Sequence, residues 1–319
     1  MNICFVSSTP GSSLKVSDAA RCNHQPTRHW RRMTAALKSA NTMTHEETQR
    51  EQWNWVRNLM HGEWVGTYEK RDFKEGRVEE PKEKGDLHYI IEFPEHTPDS
   101  GTWRGPKTAD KRYQGRFKVL SYENFTKETN KSYALPGVSG QTTPEWLSEI
   151  SKWTLEVNFV TTDFSRRMIL AFYEPFPDKP MKRLTGFHIC SYRDSSAPGS
   201  KVPIDESITP IDRIMEIPSL EPTSSMALTT RGGEKKYYEP TDEEAHFNNI
   251  FEEDRMLIPM RDSMFASVPE VIGENSELFF GMSTSSGAQL FGLRLDSEGI
   301  PCDWFTSMYG NHNGKPGKR

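Results

Sequence analysis

The chain from Trp64 to Met308 is written in short segments whose apolar residues recur at every second position, with turn residues between them. Trp153, Leu155, Val157 and Phe159 alternate with Thr154, Glu156 and Asn158, the pattern of a strand with one face on a core. Trp64–Glu69, Leu87–Phe93 and Arg116–Tyr122 read as strands too. In the last of these Phe117, Val119 and Ser121 alternate with Lys118, Leu120 and Tyr122. Met168–Tyr173 is a nearly continuous apolar run, and Gly186–Tyr192 closes this first set. Turn signals fall at Glu75-Gly76, Pro94, Asp99-Ser100-Gly101, Gly137 to Gly140 and Pro175 to Pro180. A second set follows at Ile211–Ile217, Ser225–Arg231, Arg255–Met260, Glu277–Met282, Gln289–Leu295 and Asp303–Met308. Many short strands at this spacing argue for a barrel or sandwich and against alternating βα units. The predicted fold class is mainly β: two antiparallel β-barrels with short N-terminal and internal helices.

Two capping boxes mark the helices. Thr44 with Glu47 opens an amphipathic stretch that places Trp53, Val56, Leu59 and Met60 on one face and stops at Gly62. Thr241 with Glu244 opens the other. Upstream, residues 1–44 have Asp18 as their sole acid, against Lys15, Arg21, Arg28, Arg31, Arg32 and Lys38. This acid-poor, Arg- and Ser-rich composition fits a chloroplast or mitochondrial transit peptide, the competing assignment being a disordered cytosolic tail. The expected layout is a leader at 1–44, one barrel at 45–195, a linker at 196–210, a second barrel-like unit at 211–309 and a polar tail at 310–319.

Composition narrows function mostly by exclusion. The net charge of −5 gives no reason to expect nucleic acid, and no run has the apolar length of a membrane-spanning helix. The chain is therefore expected to be soluble and not transmembrane. Cys4, Cys22, Cys190 and Cys302 include no CxxC pair, so neither a zinc site nor a dithiol motif is indicated, and free thiols are expected. No nucleophile-elbow, zincin or phosphate-loop motif occurs; Thr284-Ser285-Ser286-Gly287 reads as a hairpin turn. No catalytic residue, metal site or cofactor is predicted. His188 and Cys190 share a strand face but lack further ligands at suitable spacing, so a packed or outward-facing pair is expected rather than a metal or haem site. His61 and His88 stand alone. Glu252-Glu253-Asp254 reads as a solvated charged face, and His246 is two helical turns from Asp254.

Gly62-Glu63-Trp64 sits where a helix feeds the first strand. Together with the surrounding block QWNWVRNLMHGEWVGTY, residues 52–68, it resembles the lipocalin-like (calycin) signature of a family found in cyanobacteria and plastids, long labelled a domain of unknown function. GRFKVLSYENF, residues 115–125, extends the likeness more weakly, and only the layout matches thereafter. The resemblance implies two lipocalin-like barrels in the plastid stroma. In such a barrel Trp64 plugs the narrow end, and a basic residue of the last strand covers it: Arg193 if the first half closes on itself, Arg294 if the barrel is single. Plant members of that family include a stromal factor required for assembly of the chloroplast ATP synthase. The implied function is a non-catalytic assembly factor, with ATP synthase catalytic-head subunits or another photosynthetic complex as partner. The alternative is a carrier of an apolar molecule such as a pigment, tetrapyrrole or lipid. Candidate lining residues for a carrier are Trp153, Phe159, Phe187, Met256, Met260 and Met264, for which the competing assignment is core packing.

Overall fold

The computed structural model describes residues 43–310 except 107–113, 128–131, 143–152, 162–164, 180, 197–202, 218–219, 232, 240–254 and 285–286. The expected leader (apart from its last two residues), the polar tail beyond residue 310, the Thr241 helix, His246, the Glu252–Asp254 run and the centre of the 284–287 turn lie outside the described residues.

The amphipathic stretch forms helix α1 (His45–Met60). Its capping box is made as read: the Glu47 amide donates to Thr44 Oγ1 and the Thr44 amide to Glu47 Oε2. The first half continues with β1 (Gly62–Lys74), β2 (Arg77–Val78), β3 (Glu83–Glu92), β4 (Ser100–Arg104), β5 (Phe117–Ser121), helix α2 (Tyr122–Lys127), β6 (Ser132–Leu135), β7 (Val138–Thr142), β8 (Trp153–Val160), β9 (Ser165–Pro175) and β10 (Lys182–Asp194). The second half holds helix α3 (Ile211–Met215), β11 (Glu221–Arg231), β12 (Glu234–Tyr238), β13 (Met256–Pro259), β14 (Met264–Val268), β15 (Val271–Ile272), β16 (Glu277–Thr284), β17 (Gly287–Leu295) and β18 (Pro301–Gly310).

Among the described residues these strands form two antiparallel sheets, and the expected closure into two barrels is not seen. The first runs β5-β4-β3-β1-β10-β9-β8-β7-β6 and curls into a half-barrel; the second runs β12-β11-β18-β17-β16-β14-β13. Among the described residues no ladder joins the end strands β5 and β6. Helix α1 packs near both ends. Its Trp53 meets Phe125 of α2, while Trp55 and Leu59 pack with Ala134 of β6.

The departure from closure has a physical cause in β8, β9 and β10, which are buried on both faces, β9 and β10 with apolar side chains on each and β8 with an apolar face and a buried polar one. Leu155, Val157, Phe159, Ile169, Ala171, Phe187 and Ile189 face the second sheet. Met168, Leu170, Cys190 and Tyr192 face the side that bears α1. A continuous apolar run such as Met168–Tyr173 marks a strand covered twice, and the second sheet supplies the second cover. Phe280, Phe291, Leu293 and Trp304 join the same core. The layers approach closely at Gly140, where an added Cβ would lie 2.5 Å from Phe291 and 2.7 Å from Trp304. Gly137 to Gly140 is therefore not a single turn. Pro136-Gly137 makes the turn and Gly140 sits inside β7 because only hydrogen fits beneath those rings.

The halves also interlock through the chain. Strand β15, from the second half, pairs with β10 of the first sheet. Arg261 in the β13–β14 turn donates to the Thr67 carbonyl at 2.7 Å, and the adjacent Asp262 pairs with Arg167 at 3.0 Å and Arg193 at 3.5 Å. The described part of the connection is pinned as well. Pro203 accepts from Arg193, and Thr209 donates to the Met260 carbonyl. Residues Ile211–Ile217, expected as a strand, instead begin as α3 after Pro210. Ile211 and Ile214 have helical spacing, which the period-two reading overlooked, and Ile214 is buried.

Candidate functional site

The α1-bearing face of the curled sheet gathers the most unusual chemistry of the described chain. Gly62, at φ +145°, turns the backbone out of α1 into β1. Two residues on, the Trp64 indole is buried and its Nε1–H donates to the Met60 carbonyl at 2.9 Å, tying the strand back to the helix end. Register then brings the neighbours in. Trp64 lies opposite Tyr89 of β3, and Arg166 at the start of β9 lies opposite Tyr192 of β10.

The Arg166 guanidinium sits among these three rings, 5.3 Å from Trp64, 5.2 Å from Tyr89 and 4.8 Å from Tyr192. Its side chain belongs to a residue only 4% exposed, so the cation–π attraction acts with little water to screen it. Arg166 Nε donates to Asn158 Oδ1 at 3.1 Å, and Asn158 Nδ2 donates to Glu156 Oε1 at 2.8 Å. This relay links the cation to a buried carboxylate through one neutral amide, while Arg166 Nη1 makes no hydrogen bond to protein.

Around this centre burial favours the neutral forms of one thiol and two phenols. The Cys190 thiol is pushed up to about 12 by desolvation. The Tyr89 and Tyr192 hydroxyls are raised by the same cause, against the favourable charge of Arg166. His188 stands edge-on to Tyr68, with ring centroids 5.1 Å apart. His188 and Cys190 are thus packed into one wall. Among the described residues no group of three or more His, Cys, Asp or Glu is placed to hold a metal ion. No helix of the described residues is long and apolar enough to cross a membrane. A thiol held protonated near neutral pH is a poor nucleophile.

Gly62 makes the turn into β1 and Trp64 is buried, and the cation over the indole is Arg166. Arg193 is buried on the other face with Asp262 and Pro203, and Arg294 pairs with Glu277 and Asp303 in the second sheet. Phe159, Phe187, Met260 and Met264 belong to the inter-sheet core, with Trp153 and Met256 packed against it. None of the six is among the residues clustered on the α1-bearing face. Sequence reasoning missed Arg166, Asn158 and Glu156. The alternation of β8 had assigned its polar residues outward, and only a second apolar layer turns that side inward. The basic pair Arg166-Arg167 directly before the Met168 run was the available signal.

The architecture is shared with a cyanobacterial protein. A protein of unknown function from Nostoc punctiforme, assigned to the DUF3598 family, matches with a TM-score of 0.53 and 13% identity over 82% of this chain and 99% of that one. At that identity the likeness shows the fold alone. No family model matches the chain, and no curated protein does.

Two outcomes are expected. Replacing Arg166 with Met removes a desolvated cation from three rings and leaves Glu156 without its relay. It should cost about 2–4 kcal/mol in urea unfolding and alter Trp64 emission, whereas Arg166→Lys should recover part of the loss. A loss under about 0.5 kcal/mol would show that the box carries no weight. The second concerns alkali. Cys190 keeps its proton to about 12 in the folded state but loses it near 9.0 when unfolded, and the two tyrosines are shifted the same way. The folded state therefore binds more protons above pH 9, so the stability from these groups is full below that pH and declines from 9 towards 12. Urea midpoints at pH 8, 9.5 and 11 should fall progressively, less steeply in Cys190→Ala; a midpoint independent of pH in that window contradicts the assignment.

Proposed function

We propose that this chain is a non-catalytic scaffold of the plastid stroma, carried there by its N-terminal segment. It assists assembly of the ATP synthase, with catalytic-head subunits as partner, or of another photosynthetic complex. The observation that carries the reading is the filling of the α1-bearing face. Where a lipocalin-like barrel would hold a ligand, Trp64, Tyr89, Tyr192 and Arg166 pack on one another, and the neighbouring thiol and phenols stay neutral. A body whose interior is used for its own packing offers its surface for work. The transit-like composition of residues 1–44 and the cyanobacterial origin of the structural neighbour support the plastid setting.

A second reading is a carrier of a pigment, tetrapyrrole or lipid. It is favoured by the apolar side chains Leu87, Ile91, Met168 and Leu170 on that same face. One experiment separates the two. The tagged protein recovered from plastid stroma should bring down ATP synthase catalytic-head subunits, and its loss should lower the amount of assembled enzyme. A preparation without those subunits, from plants whose ATP synthase is unaffected by the knockout, removes the first reading. Co-purification of a chromophore or lipid at equal stoichiometry installs the second.

A further inference from the structure

Lys182 opens β10 where three strands meet: its backbone lies opposite Pro175 of β9 and Ile272 of β15. Its ammonium is 5.9 Å from the ring of Trp153, which packs on the core between the sheets. The β17–β18 turn closes over the same point. A Cβ added at Gly299 would lie 3.9 Å from Lys182 Nζ and 3.8 Å from the Gly273 carbonyl. A Cβ added at Gly273 would in turn lie 3.4 Å from Met181. An aromatic ring, backbone and an apolar side chain therefore make up the surroundings of the amine.

Among the described residues no carboxylate pairs with Lys182, whereas Lys70 has Glu83 at 3.0 Å and Lys236 has Glu234 at 2.8 Å. The acids of the adjoining segments are engaged elsewhere. Glu174 lies opposite Arg183, Glu270 pairs with Arg183 at 3.7 Å, and Asp296 accepts the amides of Glu298 and Ile300. Burial thus acts on the Lys182 ammonium unopposed and lowers its pKa from the ordinary lysine value. An amine held this way has a larger neutral fraction, and the neutral amine is the nucleophile. The flanking side chains indicate what would reach it. Met181 precedes Lys182 and Ile300 follows Gly299, and each is 39% exposed, large apolar groups left in water beside the amine. An apolar surface around one nucleophile suits a molecule with an apolar tail and an electrophilic head.

We propose that Lys182 is a covalent attachment site for an apolar aldehyde. Lys182 Nζ attacks the carbonyl carbon and forms the C–N bond; two Nζ protons and the carbonyl oxygen leave as water, and a neutral imine remains. Trp153, Met181 and Ile300 cover the tail. The site is separate from the Trp64 box, which belongs to the α1-bearing face, and it depends on neither the scaffold nor the carrier reading.

The test exposes the full chain briefly, at neutral pH, to decanal or to acetaldehyde, with cyanoborohydride present to trap the imine as a stable amine. Peptide mass mapping then reads the adduct at each lysine. With decanal, Lys182 should be labelled about threefold or more faster than the exposed lysines Lys74 and Lys179. Acetaldehyde, too short to use the apolar flanks, should give Lys182 a smaller advantage. The double variant Met181→Ser, Ile300→Ser changes only exposed side chains and should bring decanal labelling of Lys182 down to the acetaldehyde level. Lys182→Arg keeps a cation over Trp153 but has no neutral form near this pH, so it should lose the adduct with near-ultraviolet dichroism unchanged. Labelling of Lys182 no faster than that of Lys74 and Lys179 with decanal overturns the proposal. So does an equal advantage with both aldehydes, or a preference for decanal that survives the double serine variant.

Discussion

Burial of β8, β9 and β10 on both faces is the constraint from which the rest of the architecture follows. A strand with one apolar face can sit in a closed barrel with water outside. A strand buried on both faces requires two covers. In this protein one cover is the second sheet, with Phe280, Phe291 and Trp304 at its centre, and the other is α1 together with the inward side chains of β1 and β3. Closing the first sheet around itself would leave the Leu155–Phe159 and Phe187–Ile189 faces in solvent. At about 25 cal/mol per Å² of apolar area, exposing that many large side chains would outweigh the stability of an ordinary domain.

The same constraint explains the polar centre of the α1-bearing face. Once the apolar side of β8 belongs to the second sheet, Glu156 and Asn158 must be accommodated on the other side, away from water. A carboxylate buried there needs a cation, and a buried cation needs more than one partner. Arg166 meets both requirements, reaching Glu156 through Asn158 while three aromatic rings surround its guanidinium. The indole of the G-x-W motif is thus one wall of a box whose occupant comes from the strand that starts β9.

Much of this was legible from residue types. The capping box at Thr44, the glycine turn into Trp64 and the strands at 64–69, 87–93 and 153–159 rest on local rules, and local rules are readable along one segment. What escaped depends on partners distant in sequence. Gly140 reads as a turn residue until Phe291 and Trp304 are placed above it. Ile211–Ile217 satisfies periods of two and of nearly four, and only the burial of Ile214 decides between them. Arg166 could not be told from Arg193 as the cover for the indole, because the choice turns on which face of the curled sheet each strand shows. The Met and aromatic residues proposed to line a cavity carry the right chemistry for either use, and the second sheet assigns them to packing.

The account stands on the two sheets forming a single cooperative core, and expressing residues 45–196 alone tests this directly. Without the second sheet that fragment exposes the apolar face of β8–β10, so it should lack cooperative urea unfolding and bind a hydrophobic dye. A fragment that unfolds in one sharp transition, with native-like near-ultraviolet dichroism and no dye binding, would contradict it.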